Sequence, residues 1–268
     1  MNALVAYQAG ATGLGVKVAI IDSGIDTDSS QFTGRIDPAS ADTAGNGSIN
    51  DVGGHGTAVA EVLAARRDGN GSHGIAFDAT LIVFRTDIPG TCAAGDCIFS
   101  LSAIEDAIDR ARLAGARIIN LSVIAGGLGP SPSMLEAVDR ATAAGLLFTI
   151  CAGNEPGGVN PQFWASAIAL SPEARGQVVL AGFVNGSDVM LGSRAGVAAA
   201  HYMAATGNSC SETTPMVAGA LALLAQANPG LTGPELLARL YASARDGGAP
   251  GQDAVYGRGI VDLTRAFP

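Results

Sequence analysis

Along the chain, short apolar runs rich in β-branched residues alternate with longer stretches whose apolar positions recur every three or four residues. The runs VKVAII (16–21), TLIVFR (80–85), RIINLSV (117–123), LLFTIC (146–151) and QVVLAGFV (177–184) read as buried strands. GTAVAEVLAARR (56–67), SLSAIEDAIDRARLAG (100–115) and SMLEAVDRATAAG (133–145) carry helical spacing and end near glycine. TPMVAGALALLAQA (214–227) and TGPELLARLYASA (232–244) each hold a proline near the start, a residue that favours the first helical turn. The alternation predicts an α/β fold of three layers, a mostly parallel β-sheet flanked by helices on both faces. No repeat, linker or low-complexity segment interrupts it, so residues 1–268 are read as one domain.

Composition narrows the function. A 268-residue chain with 48% hydrophobic residues, 37 glycines and only 15% charged residues suits a large packed core with many turns and argues against disorder. A net charge of −9 leaves no basic groove for nucleic acid. No stretch has the length and apolarity of a membrane span. The opening MNALVAYQAGATGLG lacks a basic start followed by a long apolar segment, so it is not read as a signal peptide. The chain is then either cytoplasmic or a mature domain cut from a longer precursor. GATGLG (10–15) precedes its strand, whereas a phosphate loop follows one, and this excludes nucleotide binding. Three scattered histidines and four scattered cysteines show no zinc spacing. Cys92 and Cys97, in PGTCAAGDC, are expected to close a small disulfide, which would imply an oxidising compartment.

In parallel sheets, functional residues gather at the carboxyl ends of strands and in the loops that follow. Asp22, Asn120, Ser122 and Asn154 stand there, and His55 and Ser211 stand where helices begin. Each has an ordinary alternative. Asp22 in IIDSG could form a turn or cap, Asn154 in CAGN a turn, and Ser211 a helix cap. His55 is framed by glycines that leave room for another chain beside its ring, unlike His73 and His201. The set of four is a stronger signal than any member.

VAIIDSGID, GHGTAVA, INLSV, CAGN and TPMVAG follow one another in the order and approximate spacing of the subtilisin-like serine protease (subtilase) family, which the sequence resembles over nearly its whole length. The closing DAVYGRGIVDLTRAF is similar to the catalytic domains of Gram-negative autotransporter subtilases. The resemblance implies a secreted or cell-surface serine endopeptidase that acts on polypeptides, requires no cofactor and is expected to be monomeric. It implies Asp22 as orienting acid, His55 as general base, Ser211 as nucleophile and Asn154 as oxyanion amide. Ser122, Val123, Ile124, Ala152 and Gly153 would line the substrate groove, whose apolar 120–127 and 151–154 segments imply an apolar or small residue before the scissile bond.

The serine motif departs from the family's Gly-Thr-Ser-Met-Ala-Thr-Pro-His-Val-Ala-Gly. Counting back from Pro215 selects Ser211, whereas counting from Gly207 selects Ser209 at the cost of two inserted residues, so Ser211 is preferred. Ser209, Cys210, Glu212 and Met216 then replace Gly, Thr, Met and His. Glu212 would oppose an oxyanion if it lay close, and complement the helix dipole if it were solvated. Val123 and Ile124 replace the family's Leu-Gly, and Ile124 could narrow the groove. The alternative function is therefore a subtilase-fold pseudoenzyme, or an impaired variant, with a binding role. Subtilases often bind calcium, but DSGIDTD (22–28) and DPASAD (37–42) fit no loop signature and are read as solvated turns. Cys151 and Cys210 flank the proposed site and could approach each other in the fold; the sequence leaves their pairing open, with buried free thiols as the default expectation.

Overall fold

The structure, a computed structural model, describes residues 1–267 apart from 96, 126 and 128. Seven strands form one sheet: β1 (Lys17–Asp22), β2 (Ala41–Asp42), β3 (Thr80–Arg85), β4 (Ile118–Leu121), β5 (Leu147–Cys151), β6 (Val178–Val184) and β7 (Tyr202–Thr206). Their order is β2-β3-β1-β4-β5-β6-β7, and every pairing is parallel. The helices are α1 (Leu4–Gln8), α2 (His55–Ala64), α3 (Leu101–Leu113), α4 (Pro132–Ala143), α5 (Phe163–Leu170), α6 (Cys210–Ala227) and α7 (Gly233–Ser243).

Two apolar cores account for the three layers. One joins α2, α6 and α7 to one face of the sheet through Val59, Leu63, Leu221, Leu224 and Leu237. The other joins α3, α4 and α5 to the opposite face through Ile104, Ile108, Val138, Trp164 and Ile168. The central strands β1, β4 and β5 are buried almost throughout, which is why they read as continuous apolar runs rather than alternating ones. The chain runs from β1 through α2 to β3 on one side, then returns through α3 to β4 on the other. The sheet therefore changes winding direction beside β1, the place where open α/β sheets form a crevice at their carboxyl ends.

The structure revises several boundaries. The apolar run 117–123 supplies a strand only to Leu121, so Ser122, Val123 and Ile124 lie beyond the sheet. The helix expected from 214 begins at Cys210, and Pro215 lies inside it rather than in its first turn. The actual start signal is Ser209, whose hydroxyl accepts the Glu212 N–H at 3.3 Å, with Glu212 Oε2 folding back to accept the Asn208 N–H at 2.9 Å. Pro215 has no N–H to offer the carbonyl of Ser211 four residues earlier, and the Ser122 hydroxyl donates to that carbonyl at 3.2 Å instead. Helices α1 and α5 and strands β2 and β7 carry no clear signal in the hydropathy pattern.

Cys92 and Cys97 are disulfide-bonded as expected, although the AAGD they flank includes Asp96, outside the described residues. Cys151 and Cys210 are also bonded, contrary to the expectation of free thiols, because the end of β5 and the start of α6 meet in space across a sequence separation of 59. Among the described residues no helix is long and apolar enough to cross a membrane, and no group of three or more His, Cys, Asp or Glu is arranged to hold a metal ion. In the second acidic segment, 37–42, Asp37 pairs with Lys17 at 2.8 Å, and Asp42 accepts the backbone N–H groups of Ala44, Gly45 and Gly47.

Candidate active site

Asp22 ends β1 with its side chain fully buried, and its Oδ1 lies 2.6 Å from His55 Nδ1. A carboxylate can only accept, so Nδ1 carries the proton and Nε2 is left as the ring's basic nitrogen. The same Oδ1 accepts the Ser23 N–H at 2.7 Å. His55 opens α2, after Gly54 in the left-handed region at φ +79°. The following Gly56 approaches β1 so closely that an added Cβ would lie 2.3 Å from Gly24 O. The Gly-His-Gly frame thus lets the helix end reach the strand end. The hydrogen bond to Asp22 is the main influence on His55, raising its pKa above the ordinary 6.5 against a smaller opposing effect of burial.

Ser211 is the second residue of α6, half-buried, and lines the same cleft of about 800 Å³ as His55. Its hydroxyl donates to Ser122 O at 3.1 Å while Ser122 Oγ donates to Ser211 O, so the two serines clasp across 89 residues. Behind them, Asn120 Nδ2 donates to Ser122 Oγ, and Thr149 donates to Asn120 Oδ1. Ser209 lines the cleft too, but its hydroxyl is engaged in the cap.

The first N–H groups of α6 are unevenly used. That of Cys210 goes to Asn154 Oδ1 at 2.8 Å, and that of Glu212 to Ser209. Among the described residues none accepts the N–H of Ser211, nor the Nδ2 protons of the exposed Asn154. Two donors are thus free beside one hydroxyl, at a helix N-terminus that favours negative charge. Asn154 follows Gly153, whose φ of +118° and approach to Ser193 Oγ exclude a side chain. The Cys151–Cys210 bridge ties the Asn154 segment to the Ser211 helix.

The expected groove residues divide. Ala152 and Val123 are buried, so they offer backbone rather than side chain, whereas Ile124 is 48% exposed. Gly126, in the expected 120–127 wall, lies outside the described residues. Gln162, missed in the sequence because it sits in an unremarkable Pro-Gln-Phe turn, joins the two walls: its Nε2 donates to Cys151 O at 2.7 Å and to Val123 O at 3.3 Å. His73 packs edge-on against Tyr7 and Phe77 and lines the same cleft as His55, with no hydrogen bond to Asp22 or His55 among the described residues. His201 is half-buried, and burial pushes its pKa down.

This fold, a seven-stranded parallel sheet between two layers of helices, is that of a subtilisin-like serine protease. The chain belongs to the Subtilase family, which it matches over residues 13–259. It is 31% identical to Subtilisin Savinase of Lederbergia lenta over 280 aligned residues, covering 99% of this chain and 96% of that protein. It is 30% identical to the Minor extracellular protease Epr of Bacillus subtilis, covering 96% of this chain but only 39% of Epr. The structure of fervidolysin from Fervidobacterium pennivorans, a keratinolytic enzyme related to subtilisin, superposes with a TM-score of 0.80 at 24% identity, covering 97% of this chain and 43% of that one, a likeness of fold.

Proposed function

We propose that the protein is a serine endopeptidase in which Asp22, His55 and Ser211 form the catalytic triad and Asn154 completes the oxyanion hole. The observation that carries this reading is the 2.6 Å Asp22–His55 hydrogen bond facing, across one cleft, a helix-borne serine with two unclaimed donors beside it. His55 Nε2 takes the Ser211 proton as Oγ attacks the peptide carbonyl, for which the hydroxyl turns away from Ser122 O. The Ser211 N–H and Asn154 Nδ2 bind the resulting oxyanion. The imidazolium then protonates the leaving amine, and water, deprotonated by His55, hydrolyses the acyl-enzyme. Ser122, Val123, Ile124, Ala152 and Gly153 are assigned to the walls that hold the substrate chain. The Glu212 carboxylate turns back to Asn208, which supports its part as a cap rather than an opponent of the oxyanion.

The whole chain is read as one monomeric catalytic domain that acts on polypeptides without a required cofactor. Two disulfides and the extracellular relative support secretion or display at the cell surface. The closing DAVYGRGIVDLTRAF motivates an autotransporter-type arrangement within a longer precursor.

A fluorophosphonate that reacts with activated serines tests the assignment. Mapped by peptide mass spectrometry, the adduct is expected on Ser211 and is expected to vanish in His55→Ala. An adduct on Ser209 moves the nucleophile, and no adduct on folded protein favours a pseudoenzyme that binds partners.

The pH dependence follows from the His55 shift. A general base works only when neutral, so kcat/KM should rise with pH through an acid limb whose midpoint lies above the ordinary 6.5. The contribution of His55 to stability runs the other way. Its raised folded-state pKa makes that contribution fully present below about 6.5 and lost as pH rises through the folded value, so activity appears as this stabilisation fades. A limb at or below 6.5 would contradict the Asp22–His55 coupling.

A further inference from the structure

We propose that Asp51, four residues before His55, is a positioning residue whose carboxylate fixes the start of α2, and with it the imidazole, against the end of β1. The proposal rests on the triad assignment for its catalytic meaning. The structural case stands on the bonds converging on this side chain. Asp51 Oδ1 accepts from Ser23 Oγ at 3.0 Å, Gly53 N at 3.1 Å and Gly54 N at 2.9 Å. Oδ2 accepts from Thr57 N at 2.8 Å and Thr57 Oγ1 at 2.7 Å.

Three further bonds carry the network on to the end of β1 and the loop after it. The Ser23 hydroxyl, held by Asp51, accepts the Gly56 N–H at 2.9 Å, and the Ser23 N–H is bound to Asp22 Oδ1. The Thr57 hydroxyl, also held by Asp51, accepts the Asp26 N–H at 2.9 Å. The N–H groups of residues 53, 54, 56 and 57 thus end on one carboxylate or on the serine it holds.

Close packing creates the need for such a tie. Gly56 must approach Gly24, and an added Cβ on Gly53 would lie 2.9 Å from the sulfur of Cys97. The cap position is itself a glycine in the left-handed region and offers no side chain to the exposed helix N–H groups. Each of the three glycines in the Gly-Gly-His-Gly run loses more conformational freedom on folding than any other residue would. Charge-assisted hydrogen bonds to a single acceptor offset that freedom where the general base is attached. The charges acting on the His55 ring are Asp22 from β1 and Asp51 from the preceding loop, while Glu61, Glu212 and the titratable His73 line the same cleft from α2, α6 and the segment after α2. Phe99, from the disulfide hairpin, places its ring 6.5 Å away and brings no charge.

The experiment is steady-state hydrolysis of a chromogenic peptide by Asp51→Asn and Ser23→Ala across pH. Asp51→Asn keeps the shape but turns one acceptor towards donors. Its kcat should fall roughly 10- to 10²-fold with little change in KM, and its acid limb should move to lower pH as one carboxylate favouring the imidazolium is lost. Ser23→Ala cuts the bridge to Gly56 but keeps the charge, so its kcat should fall while its limb stays in place. An Asp51→Asn enzyme with normal kcat and an unmoved limb, even at lowered Tm, overturns the proposal. If Asp51→Asn does not fold, Ser23→Ala decides by its kcat alone. If the unsubstituted protein proves inactive, the triad assignment fails separately. Proton NMR titration of His55 with and without Asp51→Asn then decides: a downward shift supports the tie, and an unmoved titration overturns it.

Discussion

Ser211→Ala is expected to lower kcat/KM for peptide hydrolysis by roughly 10⁴-fold or more, with folding and substrate affinity retained. The hydroxyl is half-buried and, among the described residues, bonds only to Ser122 O, so its removal strands no charge. Ser209→Ala should behave in the opposite way. It deletes the cap that receives the Glu212 N–H, costing about 1 kcal/mol of stability, while the nucleophile stays in place. Side-by-side kinetics and thermal melts of the two variants check this contrast. Loss of turnover in Ser209→Ala with activity kept in Ser211→Ala would place the nucleophile two residues earlier and require a different path for the start of α6.

Asn154→Leu is expected to reduce kcat by roughly 10²–10³-fold at nearly unchanged KM, the signature of a donor used in the transition state but not in the ground state. The Asn154 side chain is held by one oxygen, which accepts the Cys210 N–H, and this aims its amide protons away from that contact. Leucine keeps the bulk and removes both functions. Single-turnover kinetics would separate acylation from later steps. A loss confined to KM, or below about tenfold in kcat, would mean that the amide only braces the loop.

How much was legible depended on whether a signal was local. Strands β1, β3, β4, β5 and β6 announced themselves because both faces are buried, which demands uninterrupted apolar runs. Helix α5 did not, because Trp164, Ala165, Ile168 and Ala169 are buried and the segment lacks the polar face that gives helical periodicity. Strand β7 was hidden in the alanine-rich HYMAAT. At α6 the proline reads as a start signal, whereas the Ser209–Glu212 cap sets the start and Pro215 leaves an unbonded carbonyl for Ser122. Asp22, His55, Ser211 and Asn154 stand out by their frames, and the fold sets Asp22 against His55 and Asn154 against the start of α6. Asp51 does not stand out, because a lone acid before a Gly-Gly pair looks like any solvated turn, and its partners Ser23 and Thr57 meet it only in the fold. The Cys151–Cys210 pairing failed for the same reason, since it depends on two strand and helix ends being adjacent.

That bridge has a meaning for the molecule's survival among copies of itself. A peptidase digests whichever copy opens first, so its working lifetime is set by excursions from the folded state as much as by its rate of turnover. The bond closes a loop spanning a separation of 59 residues, which on chain-entropy grounds disfavours the open ensemble by about 4 kcal/mol. It does so at the seam between β5 and α6, where opening would separate Asn154 from Ser211. On the proposed assignment, a copy opened at this seam no longer holds its oxyanion donor beside its nucleophile, so the chain it exposes to digestion there is expected to have lost its own turnover.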